Sequence, residues 1–132
     1  MPRKGNSKPP FFPHDANARN DAKVIALRGE YGWEGYGIYF ALLEIMFEAG
    51  DVAIKKKLLK GTALQLAIPL TKLEAVIQYC LSDDIGLLVE DDKSIWSERL
   101  RRTREQLDEA YNRAVESGRK GAAKRWPAGG NE

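Results

Sequence analysis

EGYGIYFALLEIMFEAG, residues 34–50, predicts a helix that is apolar on almost every side. Drawn at about 100° per residue, its polar or small residues fall three or four positions apart on one narrow stripe. These residues are Glu34, Gly37, Ala41, Glu44 and Glu48. Such a helix either spans a membrane or forms the centre of a soluble core. This one is shorter than the roughly 20 apolar residues that a bilayer requires. We therefore predict the buried central helix of a small helical domain, ended by Gly50 in the left-handed conformation.

Charge is spread unevenly over the 132 residues, although the net charge is only +2. Residues 1–12 carry three bases and no acid, and the residues from Arg99 onward carry nine bases against five acids. The segment between them is therefore acidic. Basic ends around an acidic body are compatible with nucleic-acid contact, and they are equally common in the solvated tails of soluble proteins.

The composition also indicates where the protein works. A single cysteine, Cys80, excludes an internal disulfide and is typical of a reducing cytoplasm. Residues 1–10 (MPRKGNSKPP) lack the apolar run of a signal peptide and predict a flexible basic arm. The sequence contains no Cys/His cluster, activated serine or phosphate-binding loop, so we expect no enzyme, cofactor or metal site and no membrane partner.

The densest polar cluster, His14 to Asp21, has two interpretations. Asn20 or Asp21 can cap a helix over 22–31, which Gly32 then ends. Alternatively, His14 and Asp15 can begin a metal or catalytic site. With one histidine in the whole chain, the turn-and-cap interpretation is favoured. Gly35 and Gly37 are expected to allow close packing in the first turn of the central helix.

Two further helices and a hairpin are predicted after the central helix. A short strand is expected at 51–54 and a helix at 58–68, opening near Lys56 or at Thr62 and closed by Pro69. Thr71 should then cap a helix over 72–83, with Glu74 completing a capping box. The apolar runs GLLV (86–89) and SIWS (94–97), separated by a polar turn, predict a β-hairpin.

This order predicts a mainly α fold with a small β-hairpin, namely a winged helix-turn-helix over residues 11–97 followed by a long C-terminal helix. That helix, over 98–117, has an apolar seam that either packs on the domain or pairs with a second copy as a homodimer. Residues 118–132 are basic and Gly-rich, and we expect a disordered tail.

A family resemblance rests on FPHDANARND (12–21) and on the glycine- and tyrosine-rich run from Tyr31 to Glu44. Over residues 11–100 the sequence resembles the winged-helix N-terminal domain of phage and prophage replication-initiator, or replisome organiser, proteins. That domain is related to the N-terminal module of DnaD-like primosomal proteins. The resemblance implies a phage DNA-binding protein that acts in replication, and it supplies no catalytic residues.

DNA binding is accordingly the leading functional prediction. In a winged helix the second helix of the motif enters the major groove. The candidate base-reading residues on its solvent side are Thr71, Lys72, Ala75, Gln78, Tyr79 and Ser82. The candidate phosphate contacts are basic residues before the motif, on the last helix and in the tail. They are Lys55, Lys56, Lys57, Lys60, Arg99, Arg101, Arg102, Arg104, Arg119, Lys120, Lys124 and Arg125.

The alternative prediction is a protein-interaction module. Acidic residues lie on the same helix and on the hairpin tip, where they oppose the usual docking on DNA. They are Glu74, Asp83, Asp84, Glu90, Asp91 and Asp92. Such a surface suits a basic partner in the replication machinery, a host factor or a defence nuclease, and the last helix suits a dimeric adaptor.

Overall fold

A computed structural model describes the backbone of residues 11–125 and the side chains of residues 11–121. Its helices and strands, in chain order, are α1 (Ala22–Glu48), β1 (Ile54–Lys55), α2 (Leu59–Leu66), α3 (Leu70–Leu81), β2 (Val89–Glu90), β3 (Ser94–Trp96) and α4 (Glu98–Arg125). Short 3-10 turns precede α1 and α2. The described chain is mainly helical with a small antiparallel sheet and a long C-terminal helix, which confirms the predicted fold class.

The second half of α1 forms the centre of the core, as the sequence predicts. Leu42 and Met46 are completely buried, and their neighbours in the core come from α3, the sheet and the start of α4. The predicted polar stripe faces outward, with only Ala41 half-buried among its five members. None of the described helices combines the length and the apolar character needed to cross a membrane.

Local chemistry fixes the beginning and the bend of α1. The Asp21 carboxylate accepts the backbone N–H groups of Lys23 (2.9 Å) and Val24 (3.3 Å), which confirms the predicted cap. Gly32 interrupts the helical geometry with φ 69° and ψ −166°. At Gly35, an added Cβ would lie 2.5 Å from Cβ of Tyr31, so close packing requires glycine there. Gly37 faces open space, and the prediction of close packing at this position is wrong.

The end of α1 differs from the sequence prediction. The helix ends at Glu48, Ala49 is extended, and the left-handed residue is Val52 (φ 52°) rather than Gly50. A β-branched residue is strained in this conformation. Val52 is buried at 5% exposure, so its side chain gains enough from the core to hold the strained backbone in place.

Between α2 and α3 the chain makes a tight turn. α2 ends because Ala67 is left-handed (φ 58°) and the N–H of Ile68 donates to the Ala63 carbonyl at 3.1 Å. Pro69 is the N-cap residue of α3, and its carbonyl accepts the N–H of Leu73. The predicted Thr71 capping box is therefore wrong. A proline can precede a helix because its missing N–H would have no helical partner.

A three-stranded antiparallel sheet of order β1-β3-β2 flanks the helices. Ile54 pairs with Ile95, and Val89 pairs with Trp96, which confirms the predicted hairpin. β1 lies at Ile54–Lys55, slightly later than the predicted 51–54. The described chain thus places a helix-turn-helix, α2 and α3, directly before a hairpin.

α4 is longer than predicted. It continues to Arg125, so residues 118–125, predicted as disordered, are helical. The rest of the predicted tail and the predicted arm, 1–10, lie outside the described residues. Leu100 is buried and Leu107 packs on the core, but Tyr111 is 42% exposed. The homodimer through this helix stays a prediction.

Candidate nucleic-acid interface

The outer face of α3 is narrower than predicted. Thr71, Lys72, Gln78 and Ser82 are exposed, as is Glu74. Two of the predicted base-reading residues, Ala75 and Tyr79, instead pack toward α1, and their assignment is wrong. The reason is that the hydroxyls of Tyr31 and Tyr79 form hydrogen bonds between α1 and α3.

Tyr31 and Tyr79 hold α3 against α1. The Tyr79 hydroxyl donates to the Ala26 carbonyl at 3.2 Å, and the Tyr31 hydroxyl donates to the Ala75 carbonyl at 3.4 Å. Their rings meet edge to face at 5.6 Å between centroids. A tyrosine whose ring and hydroxyl are both used inside the fold cannot also reach a base.

Lys72 has a partner within the protein. Its Nζ lies 2.7 Å from Oε1 of Glu34. Both side chains are about half exposed, and exposed ion pairs of this kind contribute roughly 0–1 kcal/mol. Lys72 can therefore exchange this contact for a phosphate at little cost.

Gln78 borders a groove of about 430 Å³ between α3 and the sheet. Glu74 lines this groove from α3 and Glu90 from β2. Lys56 also lines it, with Nζ 2.7 Å from Oε1 of Glu90. The groove therefore carries more negative than positive charge, and Lys56 is occupied in balancing it.

The lysines before α2 and in its first turn differ in whether they have an acidic partner. Lys55 is exposed, and its Nζ is 3.8 Å from an Asp51 carboxylate oxygen. Lys57 and Lys60 are exposed and make no ion pair within the described chain. They lie one helical turn apart, on the same side as Leu64, which is 76% exposed. This outer stripe of α2, which begins in the turn just before the helix, is an exposed cationic surface beside the motif.

The arginines at the start of α4 do not act as one group. Arg99 and Arg102 are exposed, whereas Arg101 stacks on the ring of Trp96 at 4.2 Å from its centroid. Arg104 is 7% exposed, and its Nη1 donates to the Phe47 carbonyl at 3.0 Å. Arg104 is therefore a structural residue, and its assignment as a phosphate contact is wrong.

Farther along α4, the predicted cations are exposed where side chains are described. Arg119 lies 3.3 Å from Oε1 of Glu116, and Lys120 is exposed. Lys124 and Arg125 belong to the helix, but their side chains lie outside the described residues.

All six residues of the acidic alternative are exposed. Asp91 has a structural role, since its carboxylate accepts the N–H groups of Lys93 (2.9 Å) and Ser94 (2.8 Å). These backbone hydrogen bonds lower the pKa of Asp91. Glu74, Asp83, Asp84 and Asp92 make no ion pair within the described chain, and they remain available to a partner.

A family model described as Lin1244/Lin1753-like, N-terminal, matches residues 11–100. The chain belongs to this family. It is a phage-type family, and its description names no activity, substrate or partner. No curated protein and no solved structure matches the chain significantly. DNA binding and replication therefore stay predictions.

The Lin1244/Lin1753-like domain begins with the His14 to Asp21 cluster, whose contacts confirm the turn-and-cap interpretation. His14 stacks on Phe40 at 4.4 Å between centroids, with Nε2 3.2 Å from the Tyr36 hydroxyl. The Asp15 carboxylate accepts the N–H of Asn17 at 3.0 Å. Among the described residues, no three His, Cys, Asp or Glu side chains come together as a metal site would require.

Sequence reasoning missed one cation of the Lin1244/Lin1753-like domain. Lys93 is exposed in the hairpin turn, and its carbonyl accepts the N–H of Lys56 at 2.8 Å. Three acids precede this lysine in the sequence, so charge patterning predicts an acidic hairpin tip. The β1–β3 pairing could not be read from spacing, and it brings Lys93 to the lysines before α2.

Proposed function

We propose that the protein binds double-stranded DNA, with α3 directed at the major groove. The observation that carries the proposal is the order of elements: α2, a tight turn, α3 and an antiparallel hairpin completed by β1. This is the order of a winged helix, in which the second helix of the motif reads base edges. Thr71 and Gln78, both exposed on α3, are the side chains suited to hydrogen-bond with bases.

Most phosphate contacts in this proposal come from the start of α2 and the turn before it, and Lys72 is the one that α3 supplies. Lys57 and Lys60 are exposed and make no ion pair within the described chain, and Lys72 can release Glu34 for a phosphate. The acidic groove next to α3 repels the DNA backbone, so the duplex approaches from the α2 side. Affinity then depends strongly on salt, because phosphate neutralisation releases counterions.

The biological setting of the proposal is phage DNA replication, in its initiation or regulation. The family match over residues 11–100 supports a phage setting. The link to replication rests on the sequence resemblance carried by residues 12–21 and 31–44. A double-stranded DNA contact near an origin is the simplest use of a helix-turn-helix in that setting.

Fluorescence anisotropy with labelled duplexes of unrelated sequence, at about 50 and 200 mM salt, tests the proposal. The full chain should bind at low salt and weaken steeply as salt rises. The double variant Lys57→Ala/Lys60→Ala should weaken binding equally on every duplex and make the log–log salt slope shallower by about 1.8, or 0.9 per phosphate contact. Lys23→Ala, an exposed lysine at the start of α1, is the matched control and should bind like the parent.

No duplex binding by the full chain at the lower salt concentration would overturn DNA binding. An unchanged salt slope in the Lys57→Ala/Lys60→Ala variant, with its fold intact by circular dichroism, would instead refute Lys57 and Lys60 as the phosphate contacts.

The acidic surface favours one second candidate, a module that binds a basic protein. Asp83 and Asp84 directly follow α3 and are exposed without ion pairs in the described chain. Charge reversal, Asp83→Lys/Asp84→Lys, separates the two functions. DNA affinity should rise if α3 faces the duplex. If the acidic surface instead binds a partner, the variant should lose that partner in a pull-down from host lysate, and DNA affinity should not change.

A further inference from the structure

A cavity of about 400 Å³ lies between the segment before α1, α1 itself and the first turns of α4. Its apolar walls include Val24 and Leu43 of α1, Leu87 before β2 and Leu100 of α4. Its volume falls within the range of roughly 300–1,000 Å³ that is typical of small-molecule sites. It lies apart from the outer stripe of α2 that carries the proposed phosphate contacts.

The most informative group in the cavity wall is Tyr39. This residue is 6% exposed, yet its hydroxyl has no hydrogen-bond partner within the described chain. Tyr39 is one of the residues that line the cavity. Burial raises the pKa of Tyr39, so the hydroxyl stays protonated and can donate. Buried hydroxyls normally find a partner, so the Tyr39 hydroxyl is free to bond with a molecule that enters the cavity.

Charges of both signs line the cavity. Arg99 comes from the first turn of α4 and makes no ion pair within the described chain. Asp15 and Asp21 come from the segment that leads into α1. In each carboxylate Oδ1 accepts backbone N–H groups, while Oδ2 makes no hydrogen bond among the described residues.

Arg99 and Asp21 both act on the Tyr39 hydroxyl. Burial and the Cys80 thiol raise the pKa of Tyr39 most. The Arg99 guanidinium lowers this pKa, and the Asp21 carboxylate raises it. The lining of the cavity thus combines a cation, an anion and an unpartnered hydroxyl with an apolar wall.

We propose that this cavity binds a free α-amino acid with an apolar side chain. Arg99 and the Tyr39 hydroxyl receive the carboxylate, since a guanidinium and a hydroxyl both donate to carboxylate oxygens. The unbonded oxygens of Asp15 and Asp21 receive the ammonium group. The apolar side chain occupies the wall formed by Val24, Leu43 and Leu100.

The charges in the wall select a zwitterion over simpler ligands. A plain carboxylate would leave two aspartates without a counter-charge, and a plain amine would face Arg99. A divalent metal ion would likewise meet the arginine, and only two carboxylates line the cavity. A zwitterion offers a carboxylate to Arg99 and an ammonium group that the two aspartates share.

Isothermal titration calorimetry of the full chain with L-leucine tests the ligand class. L-leucine should bind, and three analogues should each bind at least roughly tenfold more weakly, a loss of about 1.4 kcal/mol. The analogues are 4-methylpentanoate, which lacks the ammonium group, 3-methylbutylamine, which lacks the carboxylate, and L-serine, which lacks the apolar side chain. No heat of binding from L-leucine, or equal binding of 4-methylpentanoate, would overturn the proposal.

Two variants test the site. Tyr39→Phe removes only the hydroxyl, and Arg99→Gln removes only the charge, so each should weaken L-leucine binding at least roughly tenfold. Arg102→Gln changes an exposed arginine on the same helix that does not line the cavity, and it should bind normally.

Thermal unfolding with and without L-leucine is the second measurement. Ligand binding should raise the melting temperature of the parent and of Arg102→Gln. The shift should be clearly smaller in Tyr39→Phe and Arg99→Gln at the same L-leucine concentration, and the unliganded melting of each variant also shows whether it folds. Undiminished shifts in both folded variants would place the ligand elsewhere and refute the site.

Discussion

At the scale of single residues, Gly32 determines how the two halves of α1 meet. Its φ of 69° and ψ of −166° lie in a region that only glycine occupies readily. The bend lets the first half of α1 carry the Asp21 cap while the second half runs through the core. Glycine at this position is therefore a requirement of the fold rather than a weak point in a helix.

Replacing Gly32 with alanine should lower the free energy of unfolding by about 1–3 kcal/mol, because a Cβ is strained in this conformation. The matched control is Gly29→Ala in the same helix, where the added Cβ meets open space. Helix propensity should make that variant more stable by about 0.5–1 kcal/mol. Urea denaturation measures both. Equal effects of the two substitutions would contradict a special role for Gly32.

Two other residues with positive φ, Val52 and Ala67, could not have been found from the sequence. A glycine is a visible signal for a left-handed backbone, which is why Gly50 was chosen and Val52 was not. Val52 adopts it because its side chain is buried. Ala67 adopts it because a hydrogen bond from Ile68 to Ala63 closes α2. Both causes are tertiary or turn contacts, which local propensity does not record.

At the scale of whole elements, Arg104 joins α4 to the central helix. Its guanidinium donates to the Phe47 carbonyl, lies over the Phe47 ring at 5.3 Å and has Nε 3.5 Å from an Asp108 oxygen. The Phe47 carbonyl is near the end of α1, where helical carbonyls lack partners within the helix. One arginine therefore satisfies the end of one helix and fixes the direction of another.

Arg104→Met should lower the free energy of unfolding by about 2–4 kcal/mol, because it removes a buried hydrogen bond and leaves Asp108 without this cation. Arg102→Met is the control, since an exposed arginine on the same helix should change stability by less than about 0.5 kcal/mol. Chemical denaturation followed by circular dichroism compares the two. A loss below that of the control would show that α4 is held by its apolar contacts alone.

The sequence predicted elements better than it predicted the state of individual charged groups. Apolar periodicity found the core face of α1 and the hairpin, because burial there follows a regular pattern. Arg104 follows Leu100 by four positions and precedes Leu107 by three, so it lies on the same stripe. The spacing of Arg104 therefore indicates burial, whereas its positive charge alone suggests an exposed phosphate contact.

At the scale of the molecule, the proposed amino-acid cavity depends on contacts that no local pattern contains. Its wall combines residues near positions 15, 39 and 99, which only the tertiary fold brings together. The helix-turn-helix, in contrast, is a continuous segment with its own turn and periodicity. This is why the sequence predicted the candidate DNA-binding motif and left the cavity unseen.

The ionisation of Cys80 reports how well the core excludes water. It is the single cysteine, and it is fully buried on α3. Burial raises the pKa of this thiol from 9.0 to about 12. The folded state therefore holds its proton between these values while the unfolded state loses it, so stability present below pH 9 declines as the pH rises toward 12.

Between pH 8 and pH 10 the thiol should lower the free energy of unfolding by about 1.4 kcal/mol, and Cys80→Ala should lack this component. Urea denaturation of parent and variant at both pH values isolates it, because the other titrating groups are common to the two proteins. A parallel pH dependence in both would mean that the thiol ionises as easily in the folded protein as in the unfolded chain. In that case water would reach Cys80 in the folded protein, and α3 would not stay closely packed against α1.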